Sequence, residues 1–301
     1  MNETKLKQKN GFDIERAKKT FNLSNEDIHE INNLIDILNK HIENYYCFKS
    51  FVKVSKDALQ VAFALLNGDK KTFIKYQLKY TKHTAEKMRG IDSLSTYKKT
   101  SNICKFLSMH THTGCICEKC YAEKSISLYN ASLTPVLIYN TLLLKYIDID
   151  ISQIPYINSK YFRFEAFSDL QSSKHFANLL KVCKKNKNTI FTLWTKAGYN
   201  LRNMIEKENI KKLPANLNII ISEIYINKPT DKNYLQSLQT CLYPVQAVTG
   251  KYTNPLKCFI VYDDETKRNN ANMYLCKNKC VDCLKCYKKS KDIIYIAEKL
   301  H

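Results

Sequence analysis

The sequence predicts an α/β protein: a partial (β/α) barrel with an all-helical opening and a Cys-rich C-terminal segment. Three observations predict it. Apolar residues recur at helical spacing in the opening of the chain, short apolar runs then alternate with amphipathic stretches, and cysteines gather in two tight sets. The expected domains are a helical subdomain over residues 1–98, a partial barrel with a cysteine loop over 99–262, and a Cys-rich metal-binding tail over 263–301.

At 301 residues, with 44 % apolar and 11 % aromatic side chains, the chain can bury a sizeable core. Basic residues exceed acidic ones by 48 − 28 = 20, spread over the whole length. Such a charge draws polyanions across a Debye length of about 8 Å, so nucleic acid, a nucleotide or an acidic partner is expected. A coding bias toward Lys, Asn and Ile would give the same charge with no such partner. Residues 1–20 lack the apolar core of a secretory signal, and no run nears the roughly 18–20 apolar residues of a bilayer span. The expected setting is a reducing cytoplasm without a membrane partner, where 12 cysteines imply metal or redox chemistry rather than disulfides.

In order along the chain, Ser24 is an N-cap with Asp27 at the capping-box position, followed by Ile28, Ile31, Leu34, Ile35, Leu38 and Ile42 on one helical face. A second helix is expected over 55–66, stopped by Asn67-Gly68-Asp69, and a third over about 70–88. This opening suits a packing subdomain better than a DNA-reading helix-turn-helix, because no short turn joins two helices of the right length. From there the grammar changes. Residues 103–109 read as a strand, 118–129 as a helix resumed over 135–146, 161–167 as a strand, and 172–185 as an amphipathic helix. Strands over 189–195, 216–223 and 257–262 and a helix over 199–208 complete about five βα units, which implies parallel pairing.

The first cysteine set is Cys115-x-Cys117-x2-Cys120. Soft thiolates select zinc, Cu(I) or iron–sulfur. Zinc would need a fourth ligand, for which His110, His112 and Cys104 are near in sequence; an iron–sulfur cube on three cysteines leaves one iron open. The second set, Cys276-x3-Cys280-x2-Cys283-x2-Cys286, is too compressed for two separated zinc knuckles and is similar to a ferredoxin-type run, with Cys258 or Cys241 as stand-ins for Cys276. Lys277, Lys279, Lys285, Lys288 and Lys289 crowd it with positive charge. It would staple the tail, relay electrons or bind substrate.

Thr113-Gly114-Cys115 with Cys117-x2-Cys120-Tyr121-Ala122 resembles the cluster loop of radical S-adenosylmethionine enzymes, and more closely that of the phage and mobile-element "gene product 88" family. Tyr161 to Asp169 resembles that family's second strand and its Arg-x-x-x-x-Gly-Asp-like end, with Ser168 in place of glycine, and Phe191 to Lys196 resembles the next strand. The family also has a comparable Cys-rich tail. The matching stretches run from about 101 to 287, and the first loop is two residues shorter than the common Cys-x3-Cys-x2-Cys form.

The resemblance implies a radical S-adenosylmethionine-type barrel, one or two [4Fe–4S] clusters held by Cys115, Cys117 and Cys120 and by Cys276, Cys280, Cys283 and Cys286, and S-adenosylmethionine reduced to a 5′-deoxyadenosyl radical. It implies a reductant such as flavodoxin or ferredoxin, and an enzyme acting on a nucleic-acid or nucleotide substrate. Asp169 and Glu165 would receive the methionyl amino group, Ser168 stands at the glycine position beside them, and Thr195 and Lys196 would face the same mouth. Tyr121 would pack beside the cube. The plainer readings are a helix cap for Asp169 or Ser168, a strand-end residue for Thr195 and a solvated charge for Lys196. The rival from another class is a non-enzymatic, metal-stapled protein (zinc or iron–sulfur) that binds nucleic acid in replication or transfer. Cys47 and Cys183 are expected in the core, and His83 and His175 lie on helices without partners at metal spacing.

Overall fold

The computed structural model describes residues 11–82, 86–109, 114–242, 256–276, 279–288 and 294–300. Helix α1 (Ile14–Phe21) leads into α2 (Asn25–Asn44), whose capping box joins Ser24 and Asp27 as the sequence predicts. Ile31, Leu34, Ile35, Leu38 and Ile42 are buried on its inner face, against α3 (Lys49–Leu66). The turn between these helices carries Cys47 into solvent, which corrects its expected core position.

The third expected helix is a single turn, α4 (Lys70–Phe73). Distant side chains end it. The Gln153 amide donates to the carbonyls of Phe73 and Tyr76 at 3.1 Å each, and Asn140 accepts from Lys79 N at 3.0 Å while donating to Lys79 O at 2.7 Å. With its backbone groups taken by these amides, the segment has no use for a helical ladder.

The first strand is β1 (Asp92–Leu94), and the apolar run after it, expected as a strand, is instead α5 (Asn102–Met109). Ser101 starts it by accepting from Cys104 N at 3.4 Å, and Leu107 is its buried anchor, while Phe106 and Met109 point outward. Next come α6 (Tyr121–Leu128) and α7 (Asn130–Leu144), the latter packed by α2, α3, α6 and α8 and buried on all sides from Leu137 to Leu144. From β2 (Tyr161–Phe164) the strands and helices alternate: α8 (Ser173–Lys185), β3 (Ile190–Thr195), α9 (Gly198–Lys207), β4 (Leu217–Ser222), α10 (Lys232–Leu242) and β5 (Lys257–Tyr262). The cysteine-rich tail adds β6 (Tyr274–Leu275) and β7 (Ile294–Lys299) to the same sheet.

The seven strands are ordered β1-β2-β3-β4-β5-β7-β6 and all pairs are parallel. The pairing is that of an open α/β sheet, and among the described residues no ladder joins β1 to β6 to close a barrel. Because side chains alternate along a strand, each face collects its own set. Phe162, Phe164, Phe191, Leu193, Leu217, Ile219, Ile221, Cys258 and Ile260 join the large core that also contains α2, α3 and α7. The other face carries Arg163, Thr192, Trp194, Asn218, Ile220, Lys257 and Phe259, a mixture of cations, amide and aromatic groups. Both cysteine segments settle on this second face.

Candidate metal centre

The first cysteine segment is zipped to the chain just past the carboxyl end of β4. Ile116 N donates to Ile224 O at 2.9 Å, Ile226 N to Gly114 O at 2.8 Å, and Cys115 bridges Tyr225. Gly114 sits at φ +91°, a turn that favours glycine. A 3₁₀ turn over Ile116–Lys119 then brings Cys117 N to 3.4 Å from Cys115 Sγ, and Cys120 stands at the entry of α6. Lys98 Nζ lies 3.6 Å from Cys120 Sγ while pairing with Glu123 at 2.6 Å. Burial pushes the Cys117 thiol up to about 12, opposed by the Lys196 ammonium. It does the same to Cys104, with the Asp169 carboxylate adding to the rise and Lys196 again opposing it. Of the three fourth ligands considered for zinc, the structure thus brings Cys104 within electrostatic reach of Cys117; His110 and His112 lie outside the described residues.

The expected amino-acid-binding residues form a braced corner where β2 and β3 end. Asp169 is buried, and its oxygens accept from Leu170 N at 2.7 Å, Thr195 Oγ1 at 2.5 Å and Lys196 N at 2.7 Å. Burial raises its pKa, with the Lys196 charge and these donors opposing. Thr195 Oγ1 in turn accepts from Ala197 N at 2.9 Å. Lys196 is partly buried, and its ammonium is held protonated against desolvation by Asp169, Cys117 and Cys104, so it is no solvated surface charge. Ser168 accepts from Gln171 Nε2 at 2.9 Å; the cap of α8 is Ser172, not Asp169 or Ser168.

Glu165 belongs to the scaffold as well. It adopts φ +53°, a left-handed conformation that costs a non-glycine residue about 1–2 kcal/mol. Its carboxylate accepts from Thr96 N at 3.2 Å and Thr96 Oγ1 at 2.9 Å, and its other oxygen lies 3.4 Å from His175 Nε2. Gln171 N donates to His175 Nδ1 at 3.0 Å, which leaves the ring proton on Nε2, aimed at Glu165. Both side chains are fully buried. Both oxygens of Asp169 are thus engaged, whereas Glu165 Oε1 is buried without a hydrogen-bond partner.

The second cysteine segment docks from the far edge. Cys276 N extends the β6–β7 ladder by donating to Ala297 O at 2.8 Å, and Lys87, paired with Glu298, donates to Cys276 O at 3.2 Å. A helical turn spans Cys280–Cys283 and ends on Leu284 at φ +52°. Tyr274 Oη lies 3.0 Å from Cys283 Sγ. Cys286 and Cys276 pack with Ile116 of the first segment around the small core of Ile220, Phe259, Val261 and Ile296. Burial pushes the Cys286 thiol up to about 12, and neighbouring Cys276 and Cys280 raise it further against the charges of Arg163 and Lys257. Cys258, a stand-in for Cys276 by sequence, faces the opposite side of the sheet, 3.0 Å from Thr230 Oγ1, and Cys241 is on α10. Lys277 and Lys289 lie outside the described residues, as does His83.

Three residues of this region receive no role from the sequence, although Arg163 is the arginine of the Arg-x-x-x-x-Gly-Asp-like end. Arg163 donates to Tyr121 Oη at 3.3 Å and to Met88 Sδ at 3.0 Å, and stacks 4.4 Å from the Trp194 ring; Tyr121 Oη itself donates to Ala166 O. Lys257 is 0 % exposed, donates to Asn218 Oδ1 at 3.0 Å, and is pushed down to about 8 by burial. A lysine opening an otherwise apolar strand was the only signal for it. The third is Glu223, beside the strip that holds the first cysteine segment, whose carboxyl is raised to about 7 by burial against the Ile224 N–H. A carboxyl that keeps its proton longer when folded lends stability that disappears as pH rises. The urea midpoint should thus fall as pH climbs from 4.5 to about 7, and Glu223→Gln should flatten that slope.

All twelve cysteines are free thiols, and among the described residues no three His, Cys, Asp or Glu side chains are already gathered as a ligand set. The donor types suit iron–sulfur or zinc, and ligation would draw the sulfurs of each short segment together. The gene product 88 family model matches residues 64–289, which spans every strand from β1 to β6 and both cysteine segments. The chain belongs to the gene product 88 family. The family match begins inside α3, earlier than the stretch whose motifs carried the resemblance, and so ties the end of the helical opening to the α/β sheet as part of the gene product 88 unit. No curated protein and no solved structure matches the chain. No helix among the described residues of this gene product 88 protein is long and apolar enough to cross a membrane.

Proposed function

We propose that the chain is an iron–sulfur protein of a phage or other mobile genetic element, acting as a radical S-adenosylmethionine-type enzyme on a nucleic-acid or nucleotide substrate. The observation that carries the reading is the meeting of two thiol-rich segments on one cation-bearing sheet face, with Ile116, Cys276 and Cys286 packed on the same small core. Cys115, Cys117 and Cys120 are the ligands of one cluster, and Cys276, Cys280, Cys283 and Cys286 those of a second site. When bound, a cluster with one iron free of protein ligands supplies an electron to a sulfonium ligand, drawn from flavodoxin or ferredoxin.

The chain's own groups prepare that mouth. Lys98 stands beside Cys120 Sγ, and the Lys196 ammonium opposes the rise that burial imposes on the Cys117 thiol. Asp169 fixes the ends of β2 and β3 under the loop, and Tyr121 is tethered between Ala166 and Arg163. The formal charge of +20 favours a polyanionic substrate.

A second reading is favoured by one observation: both oxygens of Asp169 are committed to internal donors, which suits a non-enzymatic, metal-stapled nucleic-acid-binding protein. Anaerobic purification with iron, sulfide and zinc analysis, followed by dithionite reduction with S-adenosylmethionine, separates the two. The enzyme gives a brown protein that releases 5′-deoxyadenosine and loses this release in Cys117→Ala. A colourless zinc protein with salt-dependent DNA affinity that survives Cys117→Ala is the binding protein.

A further inference from the structure

The sheet face under the C-terminal cysteines holds more positive charge than its carboxylates answer. Lys87 and Glu298 pair and cancel each other. Arg163 and Lys257 remain. Arg163 spends its donors on a tyrosine hydroxyl and a thioether, and its Nε is buried without a hydrogen-bond partner. Lys257 is fully buried on a single amide oxygen. Among the described residues no ion pair joins either to a carboxylate. A buried cation left without an anion is strongly unfavourable, so a fold that keeps Lys257 fully buried and Arg163 half-buried on one sheet face, neither of them on a carboxylate, has an anion in view.

The neighbouring sulfurs supply it. The Asn218 side chain accepts from Lys257 and donates to Tyr287 O at 3.3 Å, which pins the residue next to Cys286 over the ammonium. Tyr161 packs on Tyr287 with ring centroids 5.3 Å apart, and this holds the same stretch beside Arg163. Four cysteines that bind Zn²⁺, or a cubane core of the same charge, release four protons and leave a site of net charge −2. Two unanswered cations are the matching countercharge.

We propose that Arg163 and Lys257 are the counter-charges of a closed four-thiolate metal site formed by Cys276, Cys280, Cys283 and Cys286, and that they set its metal affinity. The inference rests on the metal reading of these cysteines and deepens it. Both residues are positioning residues, acting on the metal through the charge of its ligands. The pair also ties the two halves of the face together, since Arg163 reaches Tyr121, next to Cys120, on one side and faces the tail on the other.

The test uses the full chain, stripped of metal under reducing conditions and titrated with Zn²⁺ against a chromophoric chelator. Lys257→Met and Arg163→Gln should each weaken Zn²⁺ binding by about 10-fold, the usual effect of removing an outer-sphere partner. Thermal unfolding supplies the second readout. The charge role requires a crossing: Lys257→Met raises the melting temperature of the metal-free protein, because a stranded charge is gone, and lowers that of the Zn²⁺-loaded protein. Unchanged Zn²⁺ affinity in both variants overturns the proposal, as does a Lys257→Met protein that melts lower without metal, which makes the lysine a plain structural donor to Asn218. If Cys280→Ser leaves the Zn²⁺ titration of the parent chain unaltered, the metal reading itself fails, and the counter-charge role with it.

Discussion

Asp169→Ala should destabilise the protein by about 3–5 kcal/mol, the range for removing one side of a buried charged contact. The carboxylate answers the Leu170 and Lys196 amides and the Thr195 hydroxyl, and the Lys196 ammonium faces it from the side. Alanine leaves all of these without a partner in a place water does not reach, and each orphaned donor adds about 1–3 kcal/mol. Asp169→Asn should fall between the two, since its amide can still accept from Thr195 but turns a donor toward another donor. Trp194, the single tryptophan, lies on β3 one residue before Thr195 and reports urea unfolding by its fluorescence. A loss below about 1 kcal/mol for the alanine variant would show that the corner is not a brace.

Cys280→Ser with Cys283→Ser should abolish the metal binding proposed for the second site and lower the melting temperature by about 10 °C or more, because binding free energy at such sites is folding free energy. The loss should be regional. Cys276 is hydrogen-bonded into the β6–β7 ladder, and Tyr287 covers Asn218 and Tyr161, so hydrogen exchange should quicken in β6, β7 and the edge of β5. Helices α2, α3 and α7, which pack chiefly on one another, should keep their protection. Equal metal content and equal melting in the double variant would refute a ligand role for these two cysteines.

What could be read in the sequence follows from how local the physics is. The Ser24–Asp27 capping box and the apolar face of α2 are set by neighbours within a few residues, and both are found where the pattern places them. Strands β3, β4 and β5 are continuous apolar runs flanked by polar ones, and their ends agree with expectation to within a residue. The failures have distant causes. Residues 74–80 leave the helix because Gln153 and Asn140 reach across from other segments. Residues 103–109 are apolar enough for a strand, yet the sheet position is taken by three residues, Asp92–Leu94, too short to stand out.

The cysteines of the candidate site were legible from residue type and spacing alone. Arg163 and Lys257 were not, because only the register of β2, β3, β4 and β5 shows that they share a face with Asn218 and the tail. Likewise, Asp169 carries the right chemistry for a ligand, but its oxygens are engaged by Thr195 and two backbone amides that no spacing announces.

The position of β7 has a consequence for maturation. It lies between β5 and β6, although it follows both of them in the chain. When Cys276 leaves the ribosome Lys87 can already reach its carbonyl, but its backbone N–H is anchored only when Ala297 arrives. The metal binding proposed for the tail should accordingly come late in biogenesis, and nascent chains stalled before residue 294 should be unable to retain the metal.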